Sequence, residues 1–491
     1  MTSTQLDLKR TIWQALLVTE KEGDNPWFAR IWIITLFLGG MLVWGIFFNW
    51  GNIPFDFHDW AEVTGPRMGV INSAINSGVF PLHASSASIL KGYSDRLLII
   101  PDVILTPQEF LLLIMPVGSF VLVDIWLLYG LGFWGLLRLR KKFKLGLIPF
   151  TLIFLLFNFN GHIVAHLSVG HFSWGSYFLL PWFFYLVFRF LDGESNWKWI
   201  AEMAGWMFLI VLQGGYHQFI WALMFLGLLG IIRWRKILTM PVVALASGLL
   251  SAVRLLPPVL AVADFKNAMS FIGGYPSLVD IISSFLMKQI PAIAILPYQN
   301  FSSPLGYWEF DVYIGFAGAA IFILGGMAFL WQEAHQRRYI ALVFPMAVLT
   351  VLSIGKVYSF LSNLPIPLLS GERVTSRMFS MVVLCAMILA TISIQKWLDK
   401  SRSKGITITA AVVGVCVTVK LGFDLIQHAI GWKVTAAANA FSVTPFIVSN
   451  TMVGNHSDPL YTAMIWIGLC ISLAAGAGLH FLVRREKRKT N

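Results

Sequence analysis

The sequence predicts an all-α polytopic membrane protein, and three observations lead to that fold class. Of the 491 residues, 57% are hydrophobic and only 12% are charged, whereas a soluble domain is about 45–50% apolar and about 25% charged. The apolar residues gather in runs that approach the roughly 20 residues needed to cross a bilayer. Cys385, Cys416 and Cys470 all lie inside such runs, so a disulfide framework is excluded. This composition also excludes a soluble enzyme, a disordered protein and a nucleic-acid-binding protein.

The apolar runs predict about twelve transmembrane helices in a single membrane domain, residues 30–483. They lie near residues 30–49, 112–136, 145–159, 174–191, 199–213, 217–232, 237–262, 312–331, 339–355, 378–395, 406–427 and 461–483. The third and fifth runs are short for a span, which leaves a broken or re-entrant helix open for both. Residues 1–29 are then a cytoplasmic amino-terminal segment, and residues 484–491 a basic cytoplasmic tail.

The distribution of Lys and Arg predicts the orientation. If residues 1–30 and every second loop are cytoplasmic, that side holds 25 of the 36 Lys and Arg residues, in keeping with the positive-inside rule. Eight of the ten histidines then fall on the other side. Both termini are therefore expected to be cytoplasmic, in a multi-pass protein of a bacterial cell membrane.

Long outer loops are expected at about 50–111, 264–311, 356–377 and 428–460. Apolar segments in the first two loops predict helices that lie along the membrane interface; these segments are residues 66–80, 95–112 and 276–297. Pro101 and Pro107 break the second segment. Asp280 and Lys288 interrupt the third, for which a spanning helix is the alternative.

Charged residues crowd the start of the first outer loop. The sequence PFDFHDWAEVTGPR contains Asp56, His58, Asp59, Glu62 and Arg67. Acids beside a low-dielectric surface are suited to act as a base or to hold a cation. A solvated loop with ordinary charges is an equally good interpretation.

Four histidines lie in two segments that face the same outer side. His162, His166 and His171 belong to NGHIVAHLSVGHFSWGSY, and the spacing of the first two allows one helix face. His217 lies at the outer turn between the fifth and sixth predicted helices. A divalent metal site is conceivable because imidazole is a common ligand. The favoured interpretation is a wet cavity lined by histidines, since no carboxylate partner is evident nearby.

The outer ends of two later helices also carry charge. Glu309 and Asp311 lead into the eighth predicted helix, and Arg373 and Arg377 lie at the mouth of the tenth. Arginine is suited to bidentate contact with phosphate. A salt bridge to Glu372 or to another loop acid is the alternative.

One arginine is predicted to lie inside a span. Arg254, in the sequence SAVRLLPP, falls within the seventh predicted helix. A charge at such depth is costly and usually faces a cavity or a partner. Asp124 in the second helix is a candidate partner.

This organisation resembles the GT-C superfamily of membrane glycosyltransferases, and more narrowly the YfhO-like group of bacterial multi-pass proteins. The segments NGH…GHFSWGSYFLLP, AVRLLPP, WEFDVYIG and ERVTSRMF resemble stretches of that group. In the superfamily, an acidic residue of the first outer loop is the catalytic base. The matching position is Asp59, with Asp56 and Glu62 as rivals. The loop lacks the usual Asp-Asp or Asp-Glu pair, which leaves the identity of the base open.

The resemblance implies an inverting transfer of a sugar from a polyprenyl-phosphate-linked donor to an acceptor on the extracytoplasmic side. It implies Asp59 as the base and Arg373, Arg377 and Arg254 as contacts for the lipid phosphate. Glu309 is expected to position the acceptor or to share in holding a divalent ion. The other candidate substrate contacts are Arg67, His58, His162, His166, His171 and His217.

Two other function classes stay open. A lipid or solute transporter is the first, and its sequence support is the intramembrane pair of Arg254 and Asp124. A non-catalytic scaffold or accessory subunit is the second, and a wide separation of Asp59 from Glu309 would favour it. Membrane lipids are expected partners in every case, and partner subunits are left open.

Overall fold

The computed structural model of the chain describes residues 16–17, 26–80, 83–90, 94–99, 105–261, 271–289, 305–336, 339–362, 372–400, 404–443 and 452–490. Over these residues the predicted all-α class is confirmed, because regular structure is helical apart from one short antiparallel sheet. Most of the predicted cytoplasmic segment 1–29 lies outside the described residues.

The α-helices follow the predicted apolar runs. They are α1 (Pro26–Phe47), α2 (Gly65–Ser77), α3 (Val117–Phe143), α4 (Leu147–Phe159), α5 (Gly161–Ser168), α6 (Leu180–Leu191), α7 (Trp197–Leu212), α8 (Tyr216–Ile232), α9 (Thr239–Leu250), α10 (Ala252–Leu255), α11 (Leu278–Ser284), α12 (Gly315–Gln336), α13 (Val343–Leu352), α14 (Gly355–Ser362), α15 (Phe379–Lys400), α16 (Lys404–Gly431), α17 (Val434–Ala438) and α18 (Pro459–Thr490). Shorter 3-10 helices are Asn49–Gly51, Ala87–Leu90, Leu97–Ile99, Pro107–Leu113, Phe172–Leu179, Trp234–Lys236, Pro257–Ala261, Tyr307–Glu309, Ile340–Leu342 and Thr375–Met378. Strands β1 (His83–Ala84) and β2 (Val453–Gly454) pair antiparallel, with His83 opposite Gly454.

The prediction of twelve spans is confirmed only in part. Among the described residues, eight helices are long and apolar enough to cross a membrane: Trp27–Phe47, Val117–Phe143, Leu147–Ser168, Phe172–Leu191, Gly315–Gln332, Thr375–Lys400, Ile408–Gly431 and Pro459–Lys489. Helix α9 and the segment Ala252–Leu260 form a ninth candidate, bent by 71° at its break. The other three runs form α7, α8 and α13, of 16, 17 and 10 residues. These lengths fall at or below the lower limit for a span.

The third predicted span is a broken helix, one of the two forms left open for it. Helix α4 ends at Asn160, which has an extended backbone (φ −68°, ψ 161°), and α5 begins directly after it. The Asn160 side chain accepts a hydrogen bond from His162 N at 3.1 Å and so caps α5. The break lies deep in the bundle and directs the histidines of α5 toward the candidate site.

Burial separates the helices into an inner and an outer group. The span Leu147–Ser168 is buried along its whole length, and Thr375–Lys400 is nearly so. By contrast, most apolar side chains of Trp27–Phe47 and Pro459–Lys489 are at least partly exposed. A helix that is apolar on all faces suits either a protein core or a lipid environment. The outer helices are therefore suited to contact lipid, and the inner helices hold the candidate site.

The helix ends on one side of the bundle are joined by polar contacts. Lys142 at the end of α3 pairs with Asp192 at the end of α6, and the Tyr339 hydroxyl donates to Asp192 at 3.0 Å. Trp197 N at the start of α7 donates to Glu486 near the end of α18 at 2.9 Å. These ends belong to the loops that the charge distribution assigns to the cytoplasm. The contacts agree with the predicted grouping of these helix ends, whereas the side that faces the cytoplasm stays a prediction.

The first outer loop contains helical segments where interfacial helices are expected. Helix α2 covers most of the predicted segment 66–80, and the 3-10 helix Pro107–Leu113 overlaps the end of 95–112. Helix α11 ends at Ser284 after seven residues, and residues 285–289 are not helical, so the described part of the predicted segment 276–297 does not form the spanning alternative. Residues 100–104 and 290–297 of these predicted segments lie outside the described residues.

Candidate active site

Five side chains from four distant parts of the chain form one row of polar contacts, the carboxylate–histidine cluster: Asp59, His171, His166, Glu309 and Arg377. His171 Nε2 lies 3.0 Å from Asp59 Oδ2, and the Nδ1 atoms of His171 and His166 are 2.6 Å apart. His166 Nε2 is 3.9 Å from Glu309 Oε2. Arg377 donates two hydrogen bonds to the Glu309 carboxylate. A carboxylate at one end is thus linked to a buried ion pair at the other.

The segment that carries Asp59 is fixed against the end of α5 by hydrogen bonds to backbone carbonyls. Trp60 Nε1 donates to Ser168 O at 2.9 Å, and the Thr64 hydroxyl donates to Gly170 O at 2.7 Å. Gly170 has φ +94°, and a Cβ there would meet Trp60 N at 2.4 Å. Only glycine fits both the conformation and the space. This close approach places Asp59 beside His171.

His58, immediately before Asp59, has an unusual backbone conformation. Its φ is +40°, a value that is sparsely populated for residues other than glycine. The ring Nδ1 lies 3.1 Å from Val169 O, and the ring centroid is 4.8 Å from that of Trp308. Burial lowers the pKa of His58, with the Asp59 charge acting in the opposite direction. His58 is therefore neutral at pH 7 and lines the site beside the carboxylate.

Glu309 and Arg377 form the buried end of the cluster. The Glu309 side chain is 4% exposed and that of Arg377 16%. Burial alone would raise the pKa of Glu309, but the charge and hydrogen bonds of Arg377 outweigh it and hold the pKa below its usual range. The Arg377 guanidinium also lies 5.2 Å from the centroid of the Trp174 ring. The pair is ionised at neutral pH and fixed on two sides.

The segment 307–313 that carries Glu309 is anchored at the break between α4 and α5. Gly161 N donates to Tyr313 O at 2.9 Å, and a Cβ on Gly161 would lie 1.7 Å from Asp311 Oδ1. Asp311 does not join the cluster, because its Oδ2 lies 3.0 Å from His428 Nε2 and its Oδ1 accepts from Tyr313 N. Asp311 thus holds the backbone that positions Glu309.

The contacts of His166 and His171 are compatible with the following positions of their ring protons. If His171 donates its Nε2 proton to Asp59, its Nδ1 carries the lone pair and accepts from Nδ1–H of His166. In this arrangement His171 donates to the Asp59 carboxylate, and the remaining His166 nitrogen, Nε2, lies 3.9 Å from Glu309 Oε2. The hydrogen bond from His171 fixes the orientation of the Asp59 carboxylate.

Two further predicted histidines border the cluster. The His162 ring centroid is 4.6 Å from that of His166. His217 Nδ1 lies 3.1 Å from Glu372 Oε2, which also accepts from Trp221 Nε1 at 2.9 Å. The Glu372 carboxylate thus fixes the ring of His217 at the edge of the site.

Four predicted site residues are not among the five side chains of the cluster. Asp56 is half-buried in the loop before His58, and Arg67 is half-buried on α2. Arg373 lies in an extended segment whose carbonyl accepts from Ile272 N at 2.9 Å, so it does not share a helix with Arg377. The expected contact of both arginines with one lipid phosphate stays a prediction. For Arg377 the alternative of a salt bridge to a loop acid is confirmed, and the acid is Glu309.

The fourth of these residues, Arg254, is fully buried beside the break between α9 and α10. Its guanidinium carbon lies 5.9 Å from the Tyr216 ring centroid, and its charge acts on Glu109. The proposed partner Asp124 instead accepts a hydrogen bond from Gln108 at 2.8 Å. The expected pairing of Arg254 with Asp124 is therefore not observed.

Sequence reasoning missed two aromatic residues of the site. The Trp174 ring contacts Arg377, His166 and His217, with the His166 ring centroid 4.9 Å away. Trp221 donates to Glu372. Both residues lie in apolar runs, where a tryptophan is indistinguishable from a core residue. The only indication in the sequence is that Trp174 follows three residues after the predicted site residue His171.

The donor atoms of a metal site are also present. Two groups, His58–Asp59–His171 and His166–His171–Glu309, each bring three ligand atoms within 4.8 Å of one another. The sequence analysis favours a cavity without a metal because no carboxylate is evident near the histidines. That premise is wrong, because Asp59 and Glu309 both lie beside them. Arg377 occupies both oxygens of Glu309, so the group nearer Asp59 is the better fit.

Comparisons with protein-family models, curated proteins and solved structures found no match for the chain. The function is therefore argued from the site.

Proposed function

We propose that the protein is an integral membrane glycosyltransferase of the GT-C type, which transfers a sugar from a polyprenyl-phosphate-linked donor to an acceptor on the extracytoplasmic side. The observation that carries the proposal is the row Asp59–His171–His166–Glu309–Arg377. It places a partly exposed carboxylate and an arginine within one polar network. Transfer from a lipid phosphate needs both groups, one to accept a proton and the other to balance negative charge.

Asp59 acts as the general base. Its side chain is 22% exposed, while the His171 side chain behind it is 13% exposed, so an acceptor hydroxyl can reach the carboxylate. The acceptor oxygen attacks the anomeric carbon as its proton passes to Asp59. The bond from that carbon to the phosphate oxygen breaks, its electron pair stays on the phosphate, and the anomeric configuration inverts. His171 orients Asp59 and stabilises it in both protonation states.

Arg377 stabilises the departing lipid phosphate. Its Nε and one terminal nitrogen are held by Glu309, and Trp174 packs against the guanidinium. The orientation of the charge is therefore set before substrate binds, which is the condition for efficient electrostatic stabilisation. Glu309 is a positioning residue in this scheme, because it acts through Arg377.

The scaffold alternative is less favoured by these contacts. It is favoured by a large apolar patch on the outer loops together with a wide separation of Asp59 from Glu309, whereas His171 contacts Asp59, His166 contacts His171, and His166 Nε2 lies 3.9 Å from Glu309. Buried titratable residues in such a network are costly and are a feature of functional sites. The contacts therefore support an enzyme.

The proposal is tested by sugar transfer in proteoliposomes that contain the purified protein, radiolabelled polyprenyl-phosphate sugars and an acceptor lipid extract. Asp59→Asn is expected to lower the transfer rate by roughly 10²–10⁴-fold, the usual contribution of a general base. Asp56→Asn is the matched control and is expected to retain the rate. Transfer that survives both Asp59→Asn and Glu309→Gln would overturn the proposal.

A further inference from the structure

We propose that the protein binds one Zn²⁺ ion at a second histidine–carboxylate group, formed by His83, Asp95 and His456, and that this ion joins the first outer loop to the last. The group is distinct from the carboxylate–histidine cluster and is independent of the proposed reaction. Its three ligand atoms lie within 4.8 Å of one another. Two imidazoles and a carboxylate are ligands that Zn²⁺ accepts in a tetrahedral site.

The two histidines come from segments that are far apart in the sequence. His83 belongs to β1, and His456 lies two residues beyond β2, which pairs with β1. Their ring centroids are 4.1 Å apart, and His456 Nε2 lies 3.2 Å from Asp95 Oδ2. The sheet therefore fixes the approach of the two rings, and the carboxylate already faces one coordinating nitrogen.

A second carboxylate supports the group from behind. Asp458 Oδ2 is 3.4 Å from His83 Nε2 and accepts a hydrogen bond from Arg96 Nε at 2.6 Å. Asp458 Oδ1 accepts from Tyr461 N at 3.2 Å at the start of α18. Because Arg96 neutralises Asp458, we assign this residue to the orientation of His83 and leave the fourth position to water. Such outer carboxylates commonly fix the ring of a ligating histidine.

The three ligands differ in exposure: one is buried and fixed by its surroundings, and the other two are open to solvent. The His83 side chain is 2% exposed, whereas those of Asp95 and His456 are 31% and 53% exposed. An ion can therefore enter from solvent and meet a preformed inner ligand.

The ion would strengthen a connection that otherwise rests on the pairing of β1 with β2 and on the contacts of Asp458 with His83 and Arg96. All three cysteines are free and lie in helices α15, α16 and α18, so no disulfide connects the outer loops. The only paired strands among the described residues are the two-residue strands β1 and β2, and so short a sheet is marginal by itself. A metal that bridges His83 and His456 closes a loop of several hundred residues, which restricts the unfolded chain.

The experiment measures Zn²⁺ binding and thermal unfolding of the full chain in detergent, after treatment with chelator and dialysis. The wild type is expected to bind one ion at the proposed group and to unfold at a higher temperature when Zn²⁺ is added. His456→Gln and Asp95→Asn are expected to bind at least about tenfold more weakly, since even the loss of an outer partner costs about 10–100-fold. Both side chains are partly exposed, so these variants are expected to fold.

Two controls separate this group from other histidines. His480→Gln changes an exposed residue of α18 and is expected to keep the affinity and the thermal shift. His171→Gln changes the carboxylate–histidine cluster and is expected to keep both as well. The proposal is overturned if the wild type binds no Zn²⁺, if His456→Gln binds as the wild type does, or if binding is lost in His171→Gln alone.

Discussion

The ion pair of Glu309 with Arg377 should contribute a large coupling energy to folding. Its side chains are 4% and 16% exposed, and two hydrogen bonds join them. Removal of one partner from a buried pair costs about 3–5 kcal/mol because the other charge is left without compensation. Glu309→Gln and Arg377→Gln are each expected to destabilise by that amount. The double variant should cost little more than either single variant.

The assay is a double-mutant cycle on the free energy of unfolding, measured by denaturant titration in detergent. The expected coupling is about 3 kcal/mol or more. The pair of Lys198 with Glu202 is a matched control, because its atoms are 3.9 Å apart and the side chains are 56% and 34% exposed. Its coupling should stay below about 1 kcal/mol. Equal coupling energies for the two pairs would refute the assignment of a buried, preorganised pair.

Three further predictions concern stability. Gly170→Ala should cost about 2 kcal/mol or more in unfolding free energy because φ is +94° and Trp60 N would be 2.4 Å from the new Cβ; Gly227, with nothing within 4 Å, is the control whose alanine variant should not destabilise. The pKa of Glu309 is lowered in the folded protein, so its contribution to stability is fully present above the ordinary glutamate pKa near 4.5 and is lost as the pH falls through the pKa in the folded state. Melting temperatures measured from pH 7 to 3 should show this decrease in the wild type and not in Glu309→Gln. Burial raises the pKa of Glu109 to about 8. The free energy of unfolding of the wild type should therefore fall as the pH rises from 4.5 to 8. Over that range Glu109→Gln should become more stable relative to the wild type, and below it the difference should stay constant. An unchanged pH slope in either variant would contradict the corresponding assignment.

The membrane fold could be predicted from composition because each span must satisfy its backbone internally and cover itself with apolar side chains. Helix breaks were harder to predict. Asn160 separates α4 from α5 directly after the predicted run 145–159, and α9 bends at Ser251 without a proline at the break. Such bends depend on tertiary contacts, which periodicity does not report.

The candidate site could be predicted to a useful extent because charge is scarce in this chain. The sequence singles out Asp59 as an acid of the first outer loop and Glu309 and Arg377 as charges at outer helix ends, and the structure joins the three in one cluster. The links between them could not be predicted, because His166 and His171 connect the two carboxylates through contacts across the fold. Arg373 and Arg377 are four residues apart in the sequence, but the backbone is extended at Val374, so the two residues do not share a helix.

The most direct test of the central claim is a single-turnover measurement of lipid phosphate release by the wild type and Asp59→Asn, with donor binding measured on the same samples. The account predicts equal donor affinity, because Arg377 and its partner are intact in the variant. It also predicts a chemical step slower by roughly 10²-fold or more, because the acceptor proton has lost its base. Equal single-turnover rates in the two proteins would contradict the account.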